Sequence, residues 1–207
     1  MDILWINRHR INIDGVGITT LVALPSCPLS CTYCINSDLL QRNDIIKTIL
    51  EEDLIDQLYV DHSYFLYTNG GITFGGGEPL LQWENLLQFA SLCPSEWNLT
   101  IETSLNVPTY YLEPLIRKNF SLIIDIKSMD YQIYKEYTGG NNLQVLTNLK
   151  LIQQLPSHKY AIKVPIIPGY ADQKSQQDSI YKLQELGIDQ EAIIPFTYIT
   201  NINSESE

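Results

Sequence analysis

The sequence predicts an α/β fold: a partial (β/α)6 TIM-like barrel, curved and open, with its ligand site at the carboxyl-terminal ends of the strands. Three observations predict it. Short β-prone runs alternate with helical periodicity about six times, which argues for a parallel sheet covered by helices. That count is too low for a closed eight-stranded barrel, and a flat doubly wound sheet is the alternative. The chemically distinctive residues fall where strands end, and parallel sheets gather their ligands there.

Each element follows from its residues. Residues 1–19 carry Asn12, Asp14, Gly15 and Gly17 and read as an entry segment with a tight turn. Thr20 to Leu24 is a buried strand that Pro25 ends. Residues 41–58 place Ile45, Ile46, Ile49, Leu50, Leu54 and Leu58 at helical spacing, giving one or two helices. The acidic residues Glu51, Glu52, Asp53, Asp56 and Asp61 read as a solvated helix face. Asn69-Gly70-Gly71 is a turn, and Ile72 to Phe74 is a strand running into Gly75-Gly76-Gly77-Glu78-Pro79. Leu80, Leu81, Trp83, Leu86, Leu87 and Ala90 then recur at helical spacing.

Trp97 to Thr103 is the next strand, residues 109–117 a short helix, and Phe120 to Ile126 a strong β run. Asn141 or Asn142 caps a helix whose buried stripe holds Val145, Leu146, Leu149 and Ile152, and Pro156 closes it. Tyr160 to Ile167 is a strand in which Pro165 signals an edge or an irregularity. Asp172 or Ser175 opens a helix carrying Ile180, Leu183 and Leu186, with Gly187 as its cap. Ala192 to Phe196 is the last strand. Residues 1–200 form one domain in this reading, and 201–207 a flexible tail.

Composition narrows the function classes. A chain of 207 residues that is 44% hydrophobic can bury a sizeable core. A formal charge of -11 disfavours non-specific binding to nucleic acid or to an anionic membrane. No run of roughly 18 apolar residues predicts a transmembrane helix. Met1-Asp2-Ile3-Leu4 lacks the basic and apolar regions of a signal peptide. Four cysteines, three of them crowded, suit a reducing compartment, so a cytoplasmic monomer is expected.

The chemistry centres on Cys27, Cys31 and Cys34, at intervals of four and three residues on a loop leaving a strand. Three thiolates on so short a loop suit a cubane iron–sulfur cluster, whose usual fourth cysteine is missing. One iron would then stay open to a small molecule. A zinc site with three ligands and water, or a disulfide framework with one cysteine left over, are the other readings. Gly75-Gly76-Gly77 lets a ligand approach the backbone, and lacks the Gly-Lys-Ser/Thr ending of a phosphate loop. Glu102 and Thr103 end one strand; Asp125 and Lys127, two apart, share a face at the end of the next. There a lysine can neutralise a carboxylate, and an aspartate can hold an amine, a hydroxyl or a cation. Cys93 reads as a buried free thiol, and His9, His62 and His158 form no ligand spacing.

Cys27-x-x-x-Cys31-x-x-Cys34 together with Gly75-Gly76-Gly77-Glu78-Pro79 resembles the radical S-adenosylmethionine superfamily. Asp14-Gly15-Val16-Gly17-Ile18, Asp125-Ile126-Lys127-Ser128-Met129-Asp130 and Val164 to Gly169 extend the likeness to the glycyl-radical-enzyme activating enzymes, of which the pyruvate formate-lyase activating enzyme is typical. The resemblance implies a 4Fe-4S cluster on Cys27, Cys31 and Cys34, with S-adenosylmethionine chelating the open iron. It implies Tyr33 near the adenine, and the glycine run with Glu78 at the methionine amino end. Glu102, Thr103 and Asp125 would line the neighbouring pocket, around a monovalent cation. Lys127 would meet the methionine carboxylate, and Lys163 is the basic residue of a late strand.

The implied activity is reductive cleavage of S-adenosylmethionine to a 5'-deoxyadenosyl radical. That radical would abstract hydrogen from a glycine of a partner glycyl radical enzyme, under anaerobic conditions, with flavodoxin or ferredoxin as reductant. Modification of a peptide or small metabolite is the alternative, and a non-catalytic zinc or iron–sulfur protein the second. The sequence departs from the activases in having Ile35 after the third cysteine, Phe196-Thr197-Tyr198 where a late histidine is usual, Ser104-Leu105 in place of a glycine turn, and no inserted ferredoxin-like domain.

Overall fold

The computed structural model describes residues 1–118 and 120–198, so the proposed tail at 201–207 lies outside the described residues. The chain begins with β1 (Asp2–Ile3), β2 (Trp5–Ile11) and β3 (Ile18–Leu24). A one-turn α1 (Ser37–Leu40) and β4 (Lys47–Thr48) lead into α2 (Glu51–Leu58) and α3 (His62–Thr68). Then come β5 (Gly71–Gly76), α4 (Trp83–Leu92), β6 (Asn98–Thr103), α5 (Thr109–Arg117) and β7 (Ser121–Asp125). The last elements are α6 (Tyr131–Thr138), α7 (Leu143–Ile152), β8 (Tyr160–Ile166), α8 (Gln173–Glu185) and β9 (Ile193–Thr197).

Seven strands form one sheet in the order β2-β3-β5-β6-β7-β8-β9, while β1 and β4 pair separately. The six strands from β3 to β9 are parallel and lie side by side in chain order. A doubly wound sheet would reverse its order at a switch point; this one never does, so its crossovers stack the helices on one face. Among the described residues no ladder joins β2 to β9, so the partial barrel is open. No described helix is long and apolar enough to cross a membrane.

The two-residue period of a strand sorts the side chains. Val22, Leu24, Ile72, Phe74, Ile101, Leu122, Ile124, Ile162 and Val164 form the fully buried layer beneath the helices. Each such side chain contributes about 1.5–3 kcal/mol by leaving water. The intervening positions line the concave face, where register sets Leu21 beside Thr73, Glu102 beside Ile123, and Asp125 beside Lys163. That face mixes apolar Leu21 and Ile123 with Thr73, Glu102, Asp125 and Lys163.

Several expectations are corrected here. The entry segment contains β2, an antiparallel edge strand with an irregularity between Asn7 and Arg10. Its turn reaches under the concave face, where buried Asp14 takes Thr19 Oγ1 at 2.7 Å and Arg10 Nε, and its carbonyl takes Thr73 Oγ1. Helices α3 and α6 have no counterpart in the sequence reading. Glu51 and Asp61 are buried, not solvated: Glu51 accepts from Asn85 Nδ2 at 2.8 Å, and Asp61 from Thr20 Oγ1 at 2.8 Å and from Arg8.

Pro165 does not mark an edge, since β8 lies between β7 and β9. Lys163 offers its carbonyl to Ile126 on the β7 side, and Ile166 offers its own to Tyr198 on the β9 side. Pro165, two residues on from Lys163, therefore faces the β7 side. The β7–β8 ladder stops at Asp125↔Lys163, where Pro165 has no N–H to continue it.

Candidate active site at the strand ends

The site is built from the loops that leave β3, β5, β6 and β7. One cavity is lined by Cys27, Cys31, Cys34, Tyr33, Gly76, Gly77, Glu78, Glu102, Thr103, Asp125, Lys127 and Lys163. The structure thus brings together every predicted site residue except Gly75. A Cβ on Gly75 would sit 3.0 Å from both Glu102 Oε2 and Leu21 Cδ1, which places that glycine in the wall below.

The cysteine loop is pinned from three sides. Ser30 N and Thr32 N donate to Thr138 O and Tyr137 O at 2.9 and 3.1 Å, fixing the loop to the end of α6. Asn36 Nδ2 donates to Gly76 O at 2.8 Å. Gly77 N and Glu78 N donate to Leu24 O and Ser26 O at 2.9 and 2.8 Å. The glycine run therefore has a structural reason that the sequence did not show. Its last two amides hold the start of the cysteine loop, and a Cβ on Gly77 would lie 2.1 Å from Ser26 O. Gly76, at φ +93°, makes the bend.

All four cysteines are unpaired, which excludes the disulfide framework. Burial pushes the Cys27 thiol up to about 11, and burial also raises Cys31, with Lys127 opposing it. Thiols in this state are poor nucleophiles and become thiolates only when a cation binds them. Among the described residues, no three His, Cys, Asp or Glu side chains converge to hold a single metal ion.

Glu78 is fully buried, and four donors hold its carboxylate. Thr103 Oγ1 and Leu80 N reach Oε1 at 2.7 and 3.3 Å, and Ser104 N and Oγ reach Oε2 at 2.9 and 2.7 Å. Burial raises its pKa against those donors. Glu78 and Thr103 thus brace the ends of β5 and β6 against each other. Lys163 Nζ spans to Glu102 Oε1 at 3.4 Å, across the β7 strand that carries Ile123 between them. Burial raises the Glu102 pKa, and Lys163 opposes the rise.

At the β7 end, Lys127 Nζ donates to Asp125 Oδ2 and, at 2.8 Å, to Tyr198 Oη. Tyr198 Oη donates in turn to Asp125 Oδ2 at 3.0 Å. Burial opposes the lysine's charge, but Asp125 and Tyr198 hold its pKa well above the usual lysine value. Asp125 Oδ1 is buried and has no hydrogen-bond partner among the described residues. Tyr33, Tyr137 and Tyr170 form an aromatic wall with centroids 5.2–6.2 Å apart.

Sequence reasoning missed Tyr198, Asn36, Ser104 and Tyr137 as lining residues. The strand-end rule could have found Ser104 and Tyr198, since each directly follows a strand. Asn36 and Tyr137 depend on how the cysteine loop lies across α6, which no local pattern records.

An open parallel barrel with three thiols and an ion pair at one mouth is the frame of a cofactor enzyme. The chain belongs to the radical SAM superfamily: the sequence profile of that family matches residues 21–177. Members use a 4Fe-4S cluster and S-adenosylmethionine. The chain is 33% identical over 165 residues to the (2S)-3-sulfopropanediol dehydratase activating enzyme of Klebsiella oxytoca, covering 76% of this chain and 51% of that protein. It is 32% identical over 177 residues to the pyruvate formate-lyase-activating enzyme of Clostridium pasteurianum, covering 84% of this chain and 71% of that protein. The chain therefore spans about half the length of the first relative.

Among solved structures, Streptococcus suis SuiB bound to S-adenosylmethionine matches with a TM-score of 0.62 at 15% identity, over 87% of this chain and 41% of that one. TYW1 with a lysine-pyruvate adduct matches with a TM-score of 0.53 at 15% identity, over 88% and 65%. These two likenesses concern the fold.

Proposed function

We propose that this chain is an activating enzyme that cleaves S-adenosylmethionine reductively and removes hydrogen from a glycine of a partner glycyl radical enzyme. The observation that carries the reading is the convergence on one mouth of three unpaired thiols, the Asp125–Lys127 pair and the glycine-run turn. The relatives named as activating enzymes support it.

Cys27, Cys31 and Cys34 would hold the cluster and would lose their protons in doing so. When bound, the cluster and S-adenosylmethionine would supply one-electron chemistry. The protein's own residues do the placing. Lys127, held by Asp125 and Tyr198, would meet the methionine carboxylate. Gly76, Gly77 and Glu78 form the turn beside it, and Tyr33 offers an aromatic face to the adenine. Lysines face Glu102 and Asp125, two of the three acidic side chains that line the cavity.

The test is anaerobic. The chain is loaded with iron and sulfide, reduced by flavodoxin, ferredoxin or a chemical donor, and given S-adenosylmethionine with a candidate partner. The expected results are 5'-deoxyadenosine and a glycyl radical signal on the partner. Deoxyadenosine with a changed peptide or metabolite instead would overturn the activase assignment; no cleavage at all would overturn the enzymatic one.

A further inference from the structure

Tyr198 is the residue at the mouth that the sequence reading noted only as standing in place of a histidine. Resting on the cofactor reading above, we propose that Tyr198 is a positioning residue: its hydroxyl fixes where the Lys127 ammonium sits and which of its protons stays available to the ligand. Three hydrogen bonds close a ring among the three side chains. Lys127 Nζ donates to Asp125 Oδ2 and to Tyr198 Oη, and Tyr198 Oη donates to Asp125 Oδ2. An ammonium has three donors, and the ring uses two. A carboxylate has two oxygens, and both bonds fall on Oδ2. One lysine N–H is left over, while the second carboxylate oxygen, Oδ1, is buried away from solvent. All three residues line the same cavity, so the spare lysine proton is what the ring can offer a ligand there. A donor on a point charge suits a carboxylate, such as the amino-acid end of S-adenosylmethionine carries.

The hydroxyl decides this because the lysine stem does not. Lys127 is a flexible chain ending in a point charge. Without the Tyr198 oxygen Asp125 is its one remaining partner in the ring, and the ammonium is free to turn its spare proton away from the ligand. Tyr198 itself is held firmly. Its N–H donates to Ile166 O at 3.0 Å, and its ring meets Phe196 edge-on at 5.1 Å and Tyr137 at 6.2 Å. Those ring contacts also define the competing role, aromatic packing, which Tyr198→Phe preserves while deleting the hydroxyl.

The experiment is equilibrium binding of S-adenosylmethionine to the cluster-loaded chain, carried to millimolar ligand, with iron content and thermal midpoint recorded. Tyr198→Phe is expected to raise Kd about 5–10-fold with iron content unchanged, the net scale of one hydrogen bond. In a Lys127→Ala background the same substitution is expected to change Kd less than about twofold, since residues acting through one another are not additive. Tyr198→Phe binding like the parent overturns the proposal while leaving the functional reading standing. So does an undiminished loss in the Lys127→Ala background, which would mean that Tyr198 touches the ligand directly. A parent chain that holds its cluster and binds no S-adenosylmethionine overturns the functional reading and this one with it.

Discussion

Substituting Gly77 by alanine probes the joint between the glycine run and the cysteine loop. A Cβ there would fall 2.1 Å from Ser26 O and 3.1 Å from Leu24 O, and contacts under 3.0 Å essentially never occur. The neighbour is backbone, so no side chain can turn aside. The two segments must part by about 0.9 Å, which stretches the hydrogen bonds Gly77 N to Leu24 O and Glu78 N to Ser26 O. Two backbone bonds at roughly 1 kcal/mol each, and roughly 1–3 kcal/mol of overpacking, give about 3–5 kcal/mol. For a chain of this size that is a fall in thermal midpoint on the order of 10 °C. Ser26 precedes Cys27, so the displacement moves the first ligand, and iron incorporation should fall with stability. Gly75→Ala is the internal control. Its Cβ meets only the ends of the Glu102 and Leu21 side chains at 3.0 Å, which can rotate, and its cost should stay under about 1 kcal/mol. Thermal unfolding and iron analysis of both variants check the reasoning. Equal midpoints and equal iron contents for the two would refute it.

Cys31→Ala should abolish cluster loading, whereas Lys127→Ala should keep iron content and weaken S-adenosylmethionine binding by roughly 10–100-fold; matching iron losses would contradict separate roles. In the cluster-free chain Cys27, pushed up to about 11 by burial, stays a protonated thiol at pH 8. Its alkylation should lag a free peptide cysteine by roughly 100-fold and climb steadily as pH rises towards that value, read by mass spectrometry; rapid labelling at pH 7 would contradict the burial. Asp61→Asn should cost roughly 1.5–3 kcal/mol in denaturant unfolding, because the buried carboxylate that takes Arg8 and Thr20 loses its charge. Cofactor binding by the folded fraction of that variant should match the parent.

The sequence by itself determined the alternation of strands and helices, the cysteine spacing, and the placement of Glu102, Asp125 and Lys127 at strand ends. These are local quantities: a hydrophobic period, a turn residue, an interval along one loop. It misassigned what depends on distant neighbours. Glu51 and Asp61 look like surface charge until the fold supplies Asn85, Arg8 and Thr20 as partners. Gly77 lines the cavity, and only the fold adds the second demand on it, Ser26 O at 2.1 Å from its missing Cβ. Helix α6 went unread because its apolar stripe is made of tyrosines, and Tyr134 and Tyr137 become core residues only when the cysteine loop lies over them. Tertiary structure alone joined Tyr198 to Lys127, 71 residues away. A hydrogen bond between the ends of two parallel strands has no signature along the chain, because chain order brings those strands together only when the sheet curves.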